Sequence, residues 1–197
     1  MTADALFPEP DPAPVDPARS HPYTGTGPYC DACGLPEGNA RHTITRLSFF
    51  AHGDPTPQGS KRHVGNGIMV ESSKRARPWR DAVRFAAIDA LAGRRTPFPH
   101  GTPVAGVFVF RIPRPAAHYG TGRNQGVIRP SAPAFPIGHH HPGDIDKLLR
   151  ATCDALTEAS VWGDDSQLVD ANALKVYGPS SGCLITLTVA LRGEHRG

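Results

Sequence analysis

The sequence predicts an α+β fold, a small mixed sheet with helices packed on it. Two stretches, near residues 78–91 and 144–159, repeat apolar side chains at helical spacing. Four others, around 43–53, 101–112, 168–178 and 182–191, are apolar or alternating at strand length and are bounded by turn residues. Their order is strand, hairpin, helix, strand, loop, helix, strand, strand, with no internal repeat.

The first 28 residues, including PEPDPAPVDPARSHP, are Pro-rich and acidic without apolar periodicity, and read as a disordered arm. YCDACGLPEG follows, with Cys30 and Cys33 spaced like half of a zinc knuckle. A structural Zn2+ site needs two more ligands, and the local candidates are His21, His42 and His52; a loop with two ordinary thiols is the alternative. We divide the chain into this arm, residues 1–44, and one folded domain, 45–197.

TITRLSFFAHG reads as the first strand and leads into DPTPQGSKRHVGNGIMVES, a glycine-punctuated hairpin carrying Lys61 and Arg62. A helix is expected from Pro78 to about Leu91, with Trp79, Val83, Ala86, Ala87 and Ala90 on its apolar face. GTPVAGVFVFRI is the next strand. A long Gly- and Pro-rich loop follows, bearing His118, Arg123 and the run His139, His140, His141. Such a loop is uncommon in a compact domain unless function or disorder explains it. Adjacent histidines seldom all face one ion, so the run counts as loop composition. LVDANALKVYG and GCLITLTVAL complete the strands, and Cys153 and Cys183 lie in apolar periodic segments as core residues.

Charge is partitioned sharply. Residues 1–45 carry six acids and two bases, whereas 61–129 carry thirteen bases and three acids. Residues 130–175 reverse this, with seven acids and three bases. A basic middle beside an acidic segment suggests an anionic partner held near a cation site, though a solvated surface fits the charge as well. No apolar run approaches membrane-spanning length, and MTADALFPEP lacks a basic stretch followed by an apolar one. Four unevenly placed cysteines do not make a disulfide scaffold. The expectation is a cytoplasmic protein without a membrane partner.

The acids concentrate in DIDKLLRATCDALTEASVWGDDSQLVD. Its first part has a helical face of Ile145, Leu148, Leu149, Thr152, Ala155 and Leu156, and the helix should end near Ala159. Asp144 falls at the N-cap, where its carboxylate can accept from unpaired backbone N–H groups, and Asp146 lies in the first turn. A helix followed by a returning strand can bring Asp164 or Asp165 back toward Asp144 and Asp146. Converging carboxylates need a cation, and oxygen-only ligands favour Mg2+ or Mn2+ over zinc. Beside a basic surface, the economical chemistry is metal-assisted phosphodiester cleavage. Lys147 and Arg150 either touch the phosphate or belong to an ion-pair ladder in which Arg150 joins Asp146 and Asp154.

This pattern resembles the RusA family of crossover junction endodeoxyribonucleases, Holliday-junction resolvases common in bacteriophages and prophages. The likeness rests on D-x-D at a helix start, D-A-L at its end, and D-D-x-Q entering a strand that continues into ALKVY. PTPQGSKR and SKRARPWRDAV look like one branch of that family, and similarity covers roughly residues 45–191. The resemblance implies a homodimeric, RusA-like fold acting on four-way DNA junctions. It implies paired symmetric nicks, a magnesium requirement that manganese can meet, and 5′-phosphate products. The family's metal-binding acids fall on Asp144, Asp146 and Asp165, with Asp164 as neighbour. Its lysine, six residues after the first aspartate, aligns with Arg150, a departure that leaves Lys147 to share that role. Lys61, Arg62, Lys74, Arg75, Arg77, Arg80, Arg84, His118 and Arg123 are candidates for DNA contact. Two other readings remain: a junction-binding protein without catalysis, and a nuclease acting generally on branched or single-stranded DNA.

Overall fold

Alternation in residues 104–112 decides where the core lies. VAGVFVFRI buries Val104, Phe108, Phe110 and Ile112, while Val107 stays 47% exposed, so one face of this strand points inward. The computed structural model describes residues 21–22, 26–31, 33–35, 42–43, 45–58, 61–63, 69–71, 76–93, 96, 98–138 and 142–190. The chain divides into two units, Met1–Ile44 and Thr45–Gly197.

In the first unit β1 (His21–Pro22) pairs in parallel with β2 (His42–Thr43). The disorder expected over residues 1–28 falls largely outside the described residues.

The second unit runs β3 (Arg46–His52), β4 (Lys61–His63), β5 (Met69–Glu71), α1 (Ala76–Leu91), β6 (Val104–Ile112), α2 (Ile145–Glu158), β7 (Leu168–Tyr177) and β8 (Gly182–Val189). Four strands form one mixed sheet in the order β3-β8-β6-β7, with β6 and β7 parallel and the other pairs antiparallel. Parallel neighbours need a crossover, and α2 lies within the one that joins β6 to β7. β4 and β5 make a separate antiparallel ribbon, Lys61 opposite Glu71.

Helix α1 begins two residues before the expected start. Pro78 therefore sits within the first turn, where its missing N–H leaves no helical bond unmade. Its buried stripe is Ala76, Trp79, Val83, Ala87 and Leu91, with Ala86 and Ala90 only half-buried. Helix α2 buries Leu148, Ala151, Thr152, Cys153, Ala155 and Leu156. Ile145 has the right phase for that face, but in the first turn solvent reaches it, and Leu149 is half-buried. The helices lock together through Trp79 Nε1, which donates to Thr152 Oγ1 at 3.3 Å, and through the Arg80–Glu158 ion pair. Burial pushes the Cys153 thiol up to about 12 and raises Cys183 further, as expected of core thiols.

The expected long loop after β6 is folded on itself over residues 113–138. Two short 3-10 turns, Ala116–His118 and Gly122–Asn124, are joined by bridges between Tyr119 and Ile128 and between Gly120 and Gln125. Arg114 stacks 3.9 Å over the Tyr177 ring and donates to the Pro133 carbonyl, fastening the loop to the end of β7.

Candidate active site

The entrance to α2 is built by its backbone. Pro142 and Gly143 turn the chain, and Gly143 adopts φ +84°, a conformation glycine enters without steric penalty. A Cβ there would lie 2.7 Å from Pro57 Cγ, so the residues after β3 close over this turn. The Gln58 amide donates to the Lys147 carbonyl at 3.2 Å, and the buried Gln58 Oε1 has no partner among the described residues. From the other side Lys175 of β7 reaches across, its Nζ donating to the Gly143 carbonyl at 2.8 Å. Two separate segments, the residues after β3 and strand β7, thus converge on the residues that present Asp144 and Asp146.

Asp144 is the N-cap residue, with extended φ and ψ, but its side chain makes no capping hydrogen bond. The expected cap is displaced because Lys147, one turn on, donates from Nζ to Asp144 Oδ2 at 2.7 Å, and an ion pair outcompetes a backbone contact. That hydrogen bond first, then the charges of Asp144 and Asp146, raise the Lys147 ammonium above the usual lysine range. Asp146 and Arg150 are exposed, and neither makes an ion pair among the described residues. The ladder linking Arg150 to Asp146 and Asp154 is therefore not formed.

Asp164 and Asp165 sit on a second element, a 3-10 turn over Asp165–Gln167. Asp164 caps it in a reciprocal box with Gln167, and the Ser166 hydroxyl followed by its amide hold the Asp164 carboxyl below the usual carboxylate range. Gln167, 7% exposed, anchors the turn. Its Nε2 donates to the carbonyls of Phe98, Pro99 and Thr102 at 3.0–3.3 Å, while Oε1 accepts from the amides of Gly163 and Asp164. The charge of Asp165 adds to the burial that raises the Cys153 thiol, which puts this turn within electrostatic reach of α2.

The basic candidates separate by what they already hold. Arg80 is engaged with Glu158, and Arg84 pairs with Asp81 at 3.3 Å and covers the Phe85 ring, so both take part in the fold. Arg77 is almost fully exposed, 4.0 Å from Asp81. Arg123 is exposed on the second 3-10 turn of the ordered loop. His118 packs edge-on against Tyr177, its Nδ1 buried without a partner among the described residues. Lys61 and Arg62 lie on β4 with side chains outside the described residues, as are Lys74, Arg75 and His139–His141 altogether.

Oxygen-only donors suit a hard divalent cation, but their placement does not yet make a ligand set. Among the described residues no three His, Cys, Asp or Glu side chains stand where together they could hold a metal ion. Asp144 and Asp146 share one helix entrance and Asp164 and Asp165 another turn, and Lys147 occupies Asp144.

Sequence reasoning missed Lys175, Gln58 and Gln167, which position these acids. Gln167 carried a signal, since Asp followed three residues later by Gln is a capping-box pattern. Lys175 and Gln58 carried none, because their partners are distant in sequence. The family model described as Endodeoxyribonuclease RusA matches residues 52–188, which takes in both acidic turns. No curated protein matches the chain.

Proposed function

The chain belongs to the RusA family of endodeoxyribonucleases, Holliday-junction resolvases that act on branched DNA, and from that premise we propose that it resolves four-way junctions by paired symmetric nicks that leave 5′-phosphates. The observation that carries this reading is the α2 entrance. The backbone that presents exposed carboxylates is held there by tethers from two separate segments, inside a region, residues 46–197, whose formal charge is +7. Acids that served only for solubility would need no such positioning, and carboxylates facing DNA repel it unless a cation stands between.

Nucleases of this family generally use a divalent metal. The ion proposed here is magnesium, with manganese able to substitute, near Asp144, Asp146 and Asp165, with Asp164 alongside. When bound, such an ion activates water and neutralises phosphate charge. An ion held by Asp144 would compete with the Lys147 ammonium for that carboxylate. Lys147 and Arg150 are then the cations that stabilise charge on the attacked phosphate. Lys61, Arg62, Lys74, Arg75, Arg77 and Arg123 are proposed to grip the DNA backbone without reading sequence.

A homodimer suits a two-fold junction, which presents two strands to two symmetry-related sites. The sheet face opposite the helices supports it, with Val107 and Leu174 about half exposed. The protein would act where that DNA lies, in the cytoplasm of a bacterial or phage-infected cell.

One observation favours a second reading, a junction-binding protein without cleavage: the Lys147 ammonium sits on Asp144, a carboxylate that a catalytic metal would use. Incubation with a mobile four-way junction, with and without magnesium and beside duplex and single-stranded controls, separates the two. Paired nicks that need magnesium and vanish in Asp146→Asn, with junction binding retained, support the nuclease. Binding without cleavage at any magnesium or manganese concentration refutes it, and equal cutting of every substrate refutes junction selection.

A further inference from the structure

We propose that His21, Cys30, Cys33 and His42 form a structural, four-coordinate zinc site in the first unit. The Gly34 amide donates to the Cys30 carbonyl and the Cys30 amide to the Leu35 carbonyl, both at 2.8 Å, and Gly34 adopts φ +67°. This tight turn brings both cysteines of the Cys-x-x-Cys pair onto one bend, and neither forms a disulfide. Cys30 is 2% exposed, within a unit too short to build a core of ordinary size. The second pair of ligands comes from the strand register. β1 and β2 place His21 directly opposite His42, so the two histidines occupy one register position and share a face of the ladder. It is the backbone that places them; their side chains lie outside the described residues. Eight residues separate each histidine from the nearer cysteine, an arrangement symmetric about the turn.

A parallel ladder of two residues per strand, spanning residues 23–41, has too few hydrogen bonds to offset closing that loop. Small units close such loops with a disulfide or a metal, and two thiolates with two imidazoles make the tetrahedral Cys2His2 set that zinc prefers. His52, the other histidine near in sequence, belongs to β3 of the second unit, where its ring packs against Phe50.

The test uses the full-length chain, purified without added metal, with zinc measured by mass spectrometry and cobalt substitution followed by absorption. We expect about one zinc per chain and a cobalt spectrum of a tetrahedral site with thiolate ligands. Cys33→Ser, His21→Ala and His42→Ala should each lower zinc to about a tenth of an equivalent or less, while His52→Ala keeps it. Metal content is read without DNA, so the result stands apart from whether the protein cleaves junctions. The proposal is overturned by a wild-type chain without stoichiometric zinc, by a Cys30–Cys33 disulfide in its place, or by zinc that survives in His21→Ala or His42→Ala.

Discussion

Replacing Gln167 with alanine removes one side chain and five hydrogen bonds, and with them the anchor of the Asp164–Asp165 turn. Each bond contributes about 0.5–1.5 kcal/mol net, and a buried group left without a partner costs about 1–3 kcal/mol. The groups do not all stay dry. Gly163, Asp164 and Pro99 are exposed residues whose freed groups water can reach, whereas Phe98 is fully buried. The loss should therefore be about 2–4 kcal/mol. In a domain of about 150 residues that lowers Tm by about 5–15 °C. Gln167→Glu discriminates further. It keeps an oxygen for the two amides but turns a second oxygen onto three carbonyls, so its carboxyl pKa is raised in the folded state. A raised carboxyl favours folding when protonated, and the variant should regain stability as pH falls from 7 toward 5. Thermal unfolding across that range reads both effects. Single-turnover cleavage of a junction should fall by about 10-fold or more in each variant. A Tm within about 1 °C of wild type for Gln167→Ala, with cleavage unchanged, would refute the claim that this glutamine positions the acidic turn.

Three further outcomes follow from the site. Lys175→Met keeps the length of the side chain but not its hydrogen bond to Gly143, and should cut cleavage by about 10–100-fold. Gel-shift binding of the junction without divalent metal should stay within about twofold, with partial recovery in Lys175→Arg; a proportional loss of binding would mean that Lys175 instead grips DNA. Gly143→Ala forces a side chain into positive φ and against Pro57, costing at least about 1–2 kcal/mol in chemical denaturation. Asp164→Asn tests the depressed carboxyl. Asp164 adds stability above its unfolded pKa near 4, and that stability is lost as pH falls through the lower folded value. Asparagine keeps an oxygen for the Ser166 amide but does not titrate. The acid limb of its stability curve should therefore be shallower than the wild type's.

Legibility followed the range of each interaction. Period-two alternation in VAGVFVFRI and helical spacing in LLRATCDAL are local, and they placed α2 within one residue of its bounds and β6 within three. Asp144 at the N-cap was legible for the same reason, but its partner was not. Lys147 lies within reach of either a phosphate or the carboxylate, and only coordinates distinguish the two. The insertion of β8 between β3 and β6 left no mark in the sequence, because that strand order depends on pairings between residues far apart in the chain, such as Arg46 with Thr188 and Val104 with Val189. The order within residues 113–138 was hidden too. Its fastening point, Tyr177, belongs to a strand more than forty residues on, and Gly and Pro content alone cannot tell a folded loop from an open one.

That central position of β8 has a consequence during synthesis. β3 and β6 are both made before β8, yet they do not pair with each other; each pairs with β8, made last of the four. Until Gly182–Val189 has left the ribosome, β3 has no partner in the sheet and β6 lacks one of its two. Between the synthesis of β3 and that of β8 a nascent chain therefore exposes unpaired strand edges, the state in which chains associate wrongly or recruit chaperones.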